Sequence, residues 1–204
     1  RYSKIFIRRF YMKKILSFAL ALVMMLGMLV IPSTVSAATG SDYINSIELL
    51  NALNVMVGYG DGNMGENDNI QRYQMALFFA RALTGITDNT NWAGKSKYFA
   101  DVTEWGGAVD MCKELGIIIG YDDGLYHPAD GIRYQDALVM IIRALGMETD
   151  KMAYPWGYYF AARDIGITTA ISLNTLPTTL IRGETAALIE KMLYTDYSTT
   201  ATPK

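Results

Sequence analysis

The run Gly58-Tyr59-Gly60-Asp61-Gly62 returns 62 residues later as Gly120-Tyr121-Asp122-Asp123-Gly124, each time after one helical pattern and before another. An offset of this kind marks duplication, and a helix pair so short cannot bury its apolar face without neighbours. The second copy is the clearer. From Trp105 to Ile119 it carries Ala108, Met111, Cys112 and Leu115 at helical spacing, and the glycine loop then breaks the period. After Pro128 and Gly131 a second helix is expected from Arg133 through Ala137, Leu138, Ile141, Ile142 and Leu145, with Gly146 where a C-terminal cap falls. The unit reads helix, loop, helix.

The first copy spaces Ile44, Ile47, Leu50 and Leu53 along a helix before its loop. Beyond the loop, Arg72-Tyr73-Gln74-Met75-Ala76-Leu77 matches Arg133-Tyr134-Gln135-Asp136-Ala137-Leu138, and Arg81-Ala82-Leu83 matches Arg143-Ala144-Leu145 after a one-residue slip. Thr84 to Lys97 is polar and turn-rich, which reads as a linker. A third unit, about Met152 to Tyr197, keeps Tyr154-Pro155-Trp156-Gly157, a helix with Ala161, Ala162 and Ile165, and Gly166-Ile167 as counterpart of Gly116-Ile117. It lacks the glycine-tyrosine loop. Its second helix is expected after Leu180-Ile181-Arg182-Gly183-Glu184, continuing through Ala187, Leu188, Met192 and Leu193.

The ordered set Phe99, Asp101-Val102, Trp105, Leu115-Gly116-Ile117, the loop Gly120 to Gly124, Pro128 and Ile132-Arg133 resembles the S-layer homology (SLH) domain. That family's pattern runs FxDV, WA, a helix, GI, GYxDGxFxP, ITRAE and a second helix ending in RAL. The resemblance implies an all-α fold in which three repeats stand in a pseudo-threefold arrangement around a central helical bundle. It also implies non-covalent attachment to a bacterial cell wall through a peptidoglycan-linked, anionic secondary cell wall polysaccharide, including pyruvylated sugars that the ITRAE arginine would grip. The chain departs from ITRAE at the threonine, where Gln71, Ile132 and Ile181 stand, while Gln74, Gln135 and Glu184 keep the acidic or amide partner of a capping box.

Arg72, Arg133 and Arg182, one per unit, are therefore the leading candidates for ligand binding. An arginine offers a rigid fork of donors for a carboxylate, and a helix N-terminus adds unpaired N–H groups and a favourable dipole. The competing role is a bridge between repeats or to a loop carboxylate such as Asp61 or Asp123. Gly62, Gly120 and Gly124 let backbone approach a ligand closely, or simply make the turns. Tyr59 and Tyr121 can stack on a sugar face or pack on the adjoining helix. Trp105, and by weaker alignment Trp156, lines a groove between repeats or anchors the core. Asp101 is expected to cap the helix that follows it.

Other chemistries find no pattern. Cys112 is the single cysteine, on an apolar helix face, so it forms no intrachain disulfide and reads as core. His127 is the single histidine, a loop residue beside Pro128. No metal site, cofactor or catalytic set is expected: Gly65 and Arg72 stand where a calcium loop beginning at Asp61 needs oxygen ligands, and there is no phosphate-binding glycine motif.

Charge is divided unevenly. The first forty residues hold six of the eighteen Lys and Arg and no acid, so the remainder carries twelve positive against twenty negative charges, a net of −8. That balance argues against nucleic acid, and it leaves any acidic glycan to be met by local arginines. Met12-Lys13-Lys14, the apolar run Ile15 to Ile31, Pro32 and Val35-Ser36-Ala37 read as a secretory signal peptide cut after Ala37 or Ala38, leaving no stable membrane span. Residues 1–11 read as upstream sequence. The expected organisation is 1–37 leader, 38–94 first repeat and linker, 95–150 second repeat, 151–197 third repeat and 198–204 tail. The expected protein is secreted, held at the cell wall or S-layer, with S-layer or other surface proteins as further partners. The alternatives are a protein-interaction module built of degenerate repeats, and the anchoring fragment of a larger surface protein or enzyme.

Overall fold

A computed structural model describes residues 43–173 and 175–196. The leader with its expected cleavage point and residues 198–204 lie outside them. Among the described residues there are six α-helices and no strand: α1 Ile44–Ala52, α2 Arg72–Thr84, α3 Gly106–Glu114, α4 Tyr134–Ala144, α5 Trp156–Asp164 and α6 Arg182–Tyr194. None is long and apolar enough to cross a membrane. The expected all-α class is what is observed.

The two helices of a unit differ in burial. The second helices α2, α4 and α6 are enclosed along most of their length, as the near-continuous apolar run Ala137 to Ile142 in α4 requires. The first helices bury a single stripe, and in α5 only Tyr158 and Ala162, four positions apart, are fully inside. Helix α3 starts at Gly106 because Lys95 passes against it. A Cβ there would stand 2.2 Å from the Lys95 carbonyl carbon.

Packing follows a fixed order. The second helix of each unit lies on the first helix of the next, α2 on α3 and α4 on α5, and α6 returns to pack on α1. The backbone joins the units as well: Ile132 N–H donates to Ile70 O (2.8 Å), Leu180 N–H to Ile132 O (2.9 Å) and Ile70 N–H to Leu180 O (3.0 Å). These three bonds close a ring. All three residues are fully buried, so each bond is modest in net energy but costly to leave unmade.

Two local expectations are revised. The polar segment between the first two units is not a plain linker: it makes a short 3-10 turn at Asn89–Asn91 and sends Trp92 inward against Leu77, Ala80 and Ala108. Its indole N–H donates to Ile86 O at 3.0 Å, which satisfies the one polar atom the ring carries inside. Asp101 does not cap α3, whose N-cap position is Trp105. Its carboxylate instead accepts from the backbone N–H groups of Tyr126 (3.1 Å) and His127 (2.7 Å), fixing the far end of the glycine loop.

Candidate functional site

The backbone ring sets the frame in which the arginines must be compared. Equivalent positions are Ile70, Ile132 and Leu180, and the residue two further on is Arg72, Tyr134 and Arg182. Each donates its N–H to the same kind of acceptor in a neighbouring unit: Arg72 to Asp130 O, Tyr134 to Thr178 O and Arg182 to Asp68 O, at 2.8–2.9 Å. Arg133 is thus one residue earlier, at the N-cap of α4, beside Gln71 and Ile181. The local match Arg-Tyr-Gln had aligned it with Arg72. The same shift puts Asp136, not Gln135, level with Gln74 and Glu184, whose side chains accept from the N-cap N–H groups of Gln71 (2.9 Å) and Ile181 (3.0 Å).

These bonds also remove the expected anion donors at the helix starts. The first free N–H groups of α2, α4 and α6 donate across to the next unit, as do the second ones, from Tyr73, Gln135 and Gly183 to Pro128, Leu176 and Glu66. Side chains are left to do any binding there.

Arg72 and Arg182 have matching environments. The Arg72 Nε donates to Tyr126 O (2.9 Å) and that of Arg182 to Met64 O (2.8 Å), acceptors that occupy equivalent places in the two glycine-tyrosine loops. Tyr121 lies 4.7 Å from the Arg72 guanidinium and Tyr59 5.2 Å from that of Arg182. Arg182 adds a bond to Val57 O at 2.9 Å and is buried, which lowers its pKa from the ordinary arginine value through loss of hydration. Asp68 and Tyr59, joined at 2.8 Å, lie beside it. Its fork is already filled by protein carbonyls.

Arg133 differs because it stands at the N-cap of α4, one residue before the position that Arg72 and Arg182 hold on their helices. Its side chain is 40% exposed and held by Asp136, Nε to carboxylate at 3.0 Å, an ion pair that raises the arginine pKa. Asp136 also stands 3.6 Å from Arg72 Nη1, so one carboxylate is shared between two guanidinium groups. The Tyr154 hydroxyl donates to the same Asp136 at 2.9 Å, and burial followed by that contact pushes its pKa up to about 12.

Two clefts meet at this cluster. One, of about 560 Å³, is lined by Arg72, Arg133, Tyr121, Asp122, Asp123, His127, Asp130 and Gly131. In it the single histidine lies 2.7 Å from Asp123, whose pKa is lowered by the Leu125 N–H bond first and by His127 after it. The other, of about 350 Å³, runs between α4 and α5 and adds Gly120, Arg143, Tyr154 and Tyr158 to the shared Arg72, Arg133 and Tyr121. Its apolar floor is Ile117, Val139 and Met140. Three arginines, three tyrosines and one carboxylate surround a half-open trough, a composition suited to a ring with polar edges and a negative group.

The sequence candidates thus fall into groups. Arg72, Arg133, Tyr121, Asp123 and Gly120 line the joined clefts. Arg182 and Tyr59 stack together at another junction. Asp61 accepts from Asn63 N–H at 2.9 Å, and the positive φ of Gly62 (83°) and Gly124 (79°) serves the loop turns. Trp105 is stacked on Tyr73 with ring centres 6.4 Å apart, and Trp156 lies exposed on α5. Arg143, Tyr154, Tyr158 and Asp136 escaped sequence reasoning as site residues, although Arg143 had been matched with Arg81 and Tyr154 noted before Pro155. Arg81, matched with Arg143 in sequence, is buried, its guanidinium donating to Val55 O at 3.0 Å and to the Asn89 side chain.

The chain is 31% identical over 155 residues to a "Cell surface protein" of Thermoanaerobacter kivui, an alignment covering 74% of this chain and 20% of the relative. It is 29% identical over 168 residues to a "Middle cell wall protein" of Brevibacillus brevis, covering 80% and 16%. To a "Surface layer protein" of Brevibacillus choshinensis it is 32% identical over 106 residues, covering 50% and 9%. It spans at most about a fifth of the length of these relatives. The family whose model matches the sequence is the S-layer homology domain, at residues 38–76 and again at 98–138.

Proposed function

We propose that this chain holds a protein at the bacterial cell surface by non-covalent binding of an anionic secondary cell wall polysaccharide, with the trough between α4 and α5 as the working groove. Residues 151–197 are read as a third, degenerate SLH-type repeat that completes a pseudo-threefold body, and the chain as the anchoring part of a longer surface protein. The observation that carries the reading is Arg133: a half-open arginine at the meeting point of two clefts, supported by Asp136 and Tyr154. A carboxylate on a sugar, such as a pyruvyl group, would take the outer edge of this fork, beside Arg72, which shares Asp136, and Arg143, which is paired with Glu148 at 2.8 Å. Its place at the N-cap of α4, one residue before the position that Arg72 and Arg182 occupy, leaves Arg133 outside the kind of carbonyl socket that fills Arg182.

Sedimentation of residues 38–204 with purified sacculi, before and after chemical removal of their secondary polysaccharide, tests this. Binding is expected to depend on the polymer and to weaken about tenfold in Arg133→Ala, equivalent to about 1.4 kcal/mol. A folded wild-type chain that stays in the supernatant would overturn the anchoring mechanism.

A second reading has its own observation. Because Arg72 and Arg182 both donate to backbone carbonyls of the adjacent unit, the repeats also fit a module in which these residues only hold the fold and the partner is another surface protein. In that case removing the polymer and replacing Arg133 leave cell-wall retention unchanged.

A further inference from the structure

The outward face of α5 carries a continuous aromatic surface. Trp156 is 57% exposed and Phe160, one turn on, 46%, with their rings stacked at 6.2 Å and an interplanar angle of 29°. Tyr159 stands edge-on to both. The Arg163 guanidinium lies 4.9 Å from the centre of the Phe160 ring and pairs with Asp164. Trp156, Phe160 and Arg163 lie outside the enclosed core, Tyr159 is half-buried against its edge, and only Tyr158 and Ala162 of this helix are fully inside. Burying this face against a partner would be favourable, and the near-parallel Trp156 and Phe160 rings present two adjacent faces to it.

We propose that this face is a second subsite for the same polymer, on which uncharged pyranose residues stack. The inference rests on the polysaccharide reading above. Continuity argues for it: Tyr154 forms a wall of the trough, and Trp156 follows it by two residues, no more than about 7 Å of chain. Trp156 and Phe160 do not line the trough itself, but a polymer whose acidic group meets Arg133 reaches them by continuing past Tyr154 and around the start of α5. The chemistry matches as well. A pyranose has an apolar C–H face for a ring and hydroxyl groups at its edge for flanking donors and acceptors, here Arg163 and Asp164. The exposed part of the helix offers aromatic, glycine and charged residues but no aliphatic anchor of the kind a protein partner's pocket would receive. Linking a charged subsite to a stacking subsite raises avidity without strengthening either.

The test is calorimetric titration of residues 38–204 with the polysaccharide released from sacculi, comparing wild type, Arg133→Ala and the double variant Trp156→Ala/Phe160→Ala. Both side chains are exposed, so the double variant is expected to keep its circular dichroism spectrum and Tm. Its affinity is expected to fall about tenfold, and the Trp156→Phe variant to recover most of the loss. Of the three tryptophans Trp156 is the exposed one, Trp92 being buried and Trp105 half-buried on Tyr73, so the shift of tryptophan emission on adding polymer should be larger in the wild type than in the double variant. An unchanged affinity in the double variant, with Arg133→Ala still impaired, would overturn the platform and leave the anchoring reading standing. Absence of wild-type binding would overturn both. A wild-type oligomer that becomes monomeric in the double variant would assign the face to self-association instead. Binding to phosphatidylglycerol vesicles through Trp156, with polymer affinity unaltered, would assign it to a membrane surface.

Discussion

The three arginines picked out by the sequence differ in what their guanidinium groups already hold, and this decides what each substitution does. Arg182 is buried and spends two nitrogens on Met64 O and Val57 O, between the rings of Tyr59 and Phe78. Removing it opens a gap between two aromatic rings and strips donors from two loop carbonyls. Arg182→Ala is expected to lower stability by about 3 kcal/mol, read from chemical denaturation. Lysine should rescue little, because one ammonium group cannot span two carbonyls in the plane of the fork. Arg133, on the surface with a single carboxylate, should cost less than about 1 kcal/mol when replaced by alanine. A large loss in Arg133→Ala and none in Arg182→Ala would reverse these assignments. Cys112 belongs at this scale too. It is fully buried, burial drives its thiol pKa up, and its Sγ faces Ala76 O, so its sequence reading as core is the one the structure supports over a reactive thiol.

Among elements, what the sequence made legible was the periodic part. Helices α1 to α6 fall where apolar residues recur, and Gly146 takes the left-handed conformation (φ 68°) just past α4, as its place after the last periodic residue implied. Two things were hidden for a physical reason. The frame of α4 is fixed by backbone bonds between distant segments, which leave no mark on side-chain identity, so the local likeness of Arg133-Tyr134-Gln135 to Arg72-Tyr73-Gln74 was misleading. The segment after α2 is polar in composition, yet one residue in it, Trp92, supplies its contact with the core. Trp92 packs between Leu77 and Ala80 of α2 and Ala108 of α3, whereas the trough between α4 and α5 is lined by Arg143, Tyr154 and Tyr158. Trp92→Ala should accordingly lower stability by about 3–5 kcal/mol. The helical content of the folded fraction and its retention on sacculi should stay unchanged, because the trough is built from other elements. Equal loss of retention and stability would mean that the α2/α3 side contributes to binding.

For the whole molecule, the order of packing matters more than any single helix. The last helix closes on the first, and each of Ile70, Ile132 and Leu180 gives one backbone bond and receives one. No pair of units is complete. The candidate site shares this dependence, since Arg72, Arg133 and Tyr154 come from three successive units and meet only when all three are packed together. Residue types could nominate Arg133 from the sequence, but not Arg143, Tyr154 or Tyr158, which join it only through the α4–α5 contact. A chain ending at Asp150 would leave Ile70 N–H without its acceptor, Ile132 O without its donor, and the inner faces of α1 and α4 in water. It should therefore lose the single cooperative thermal transition expected of residues 38–204, and expose apolar surface to a dye such as ANS. Two independent transitions in the full chain, or an intact sharp transition in the shortened one, would show that the units fold separately. The closed ring would then be a result of docking and not the condition for folding.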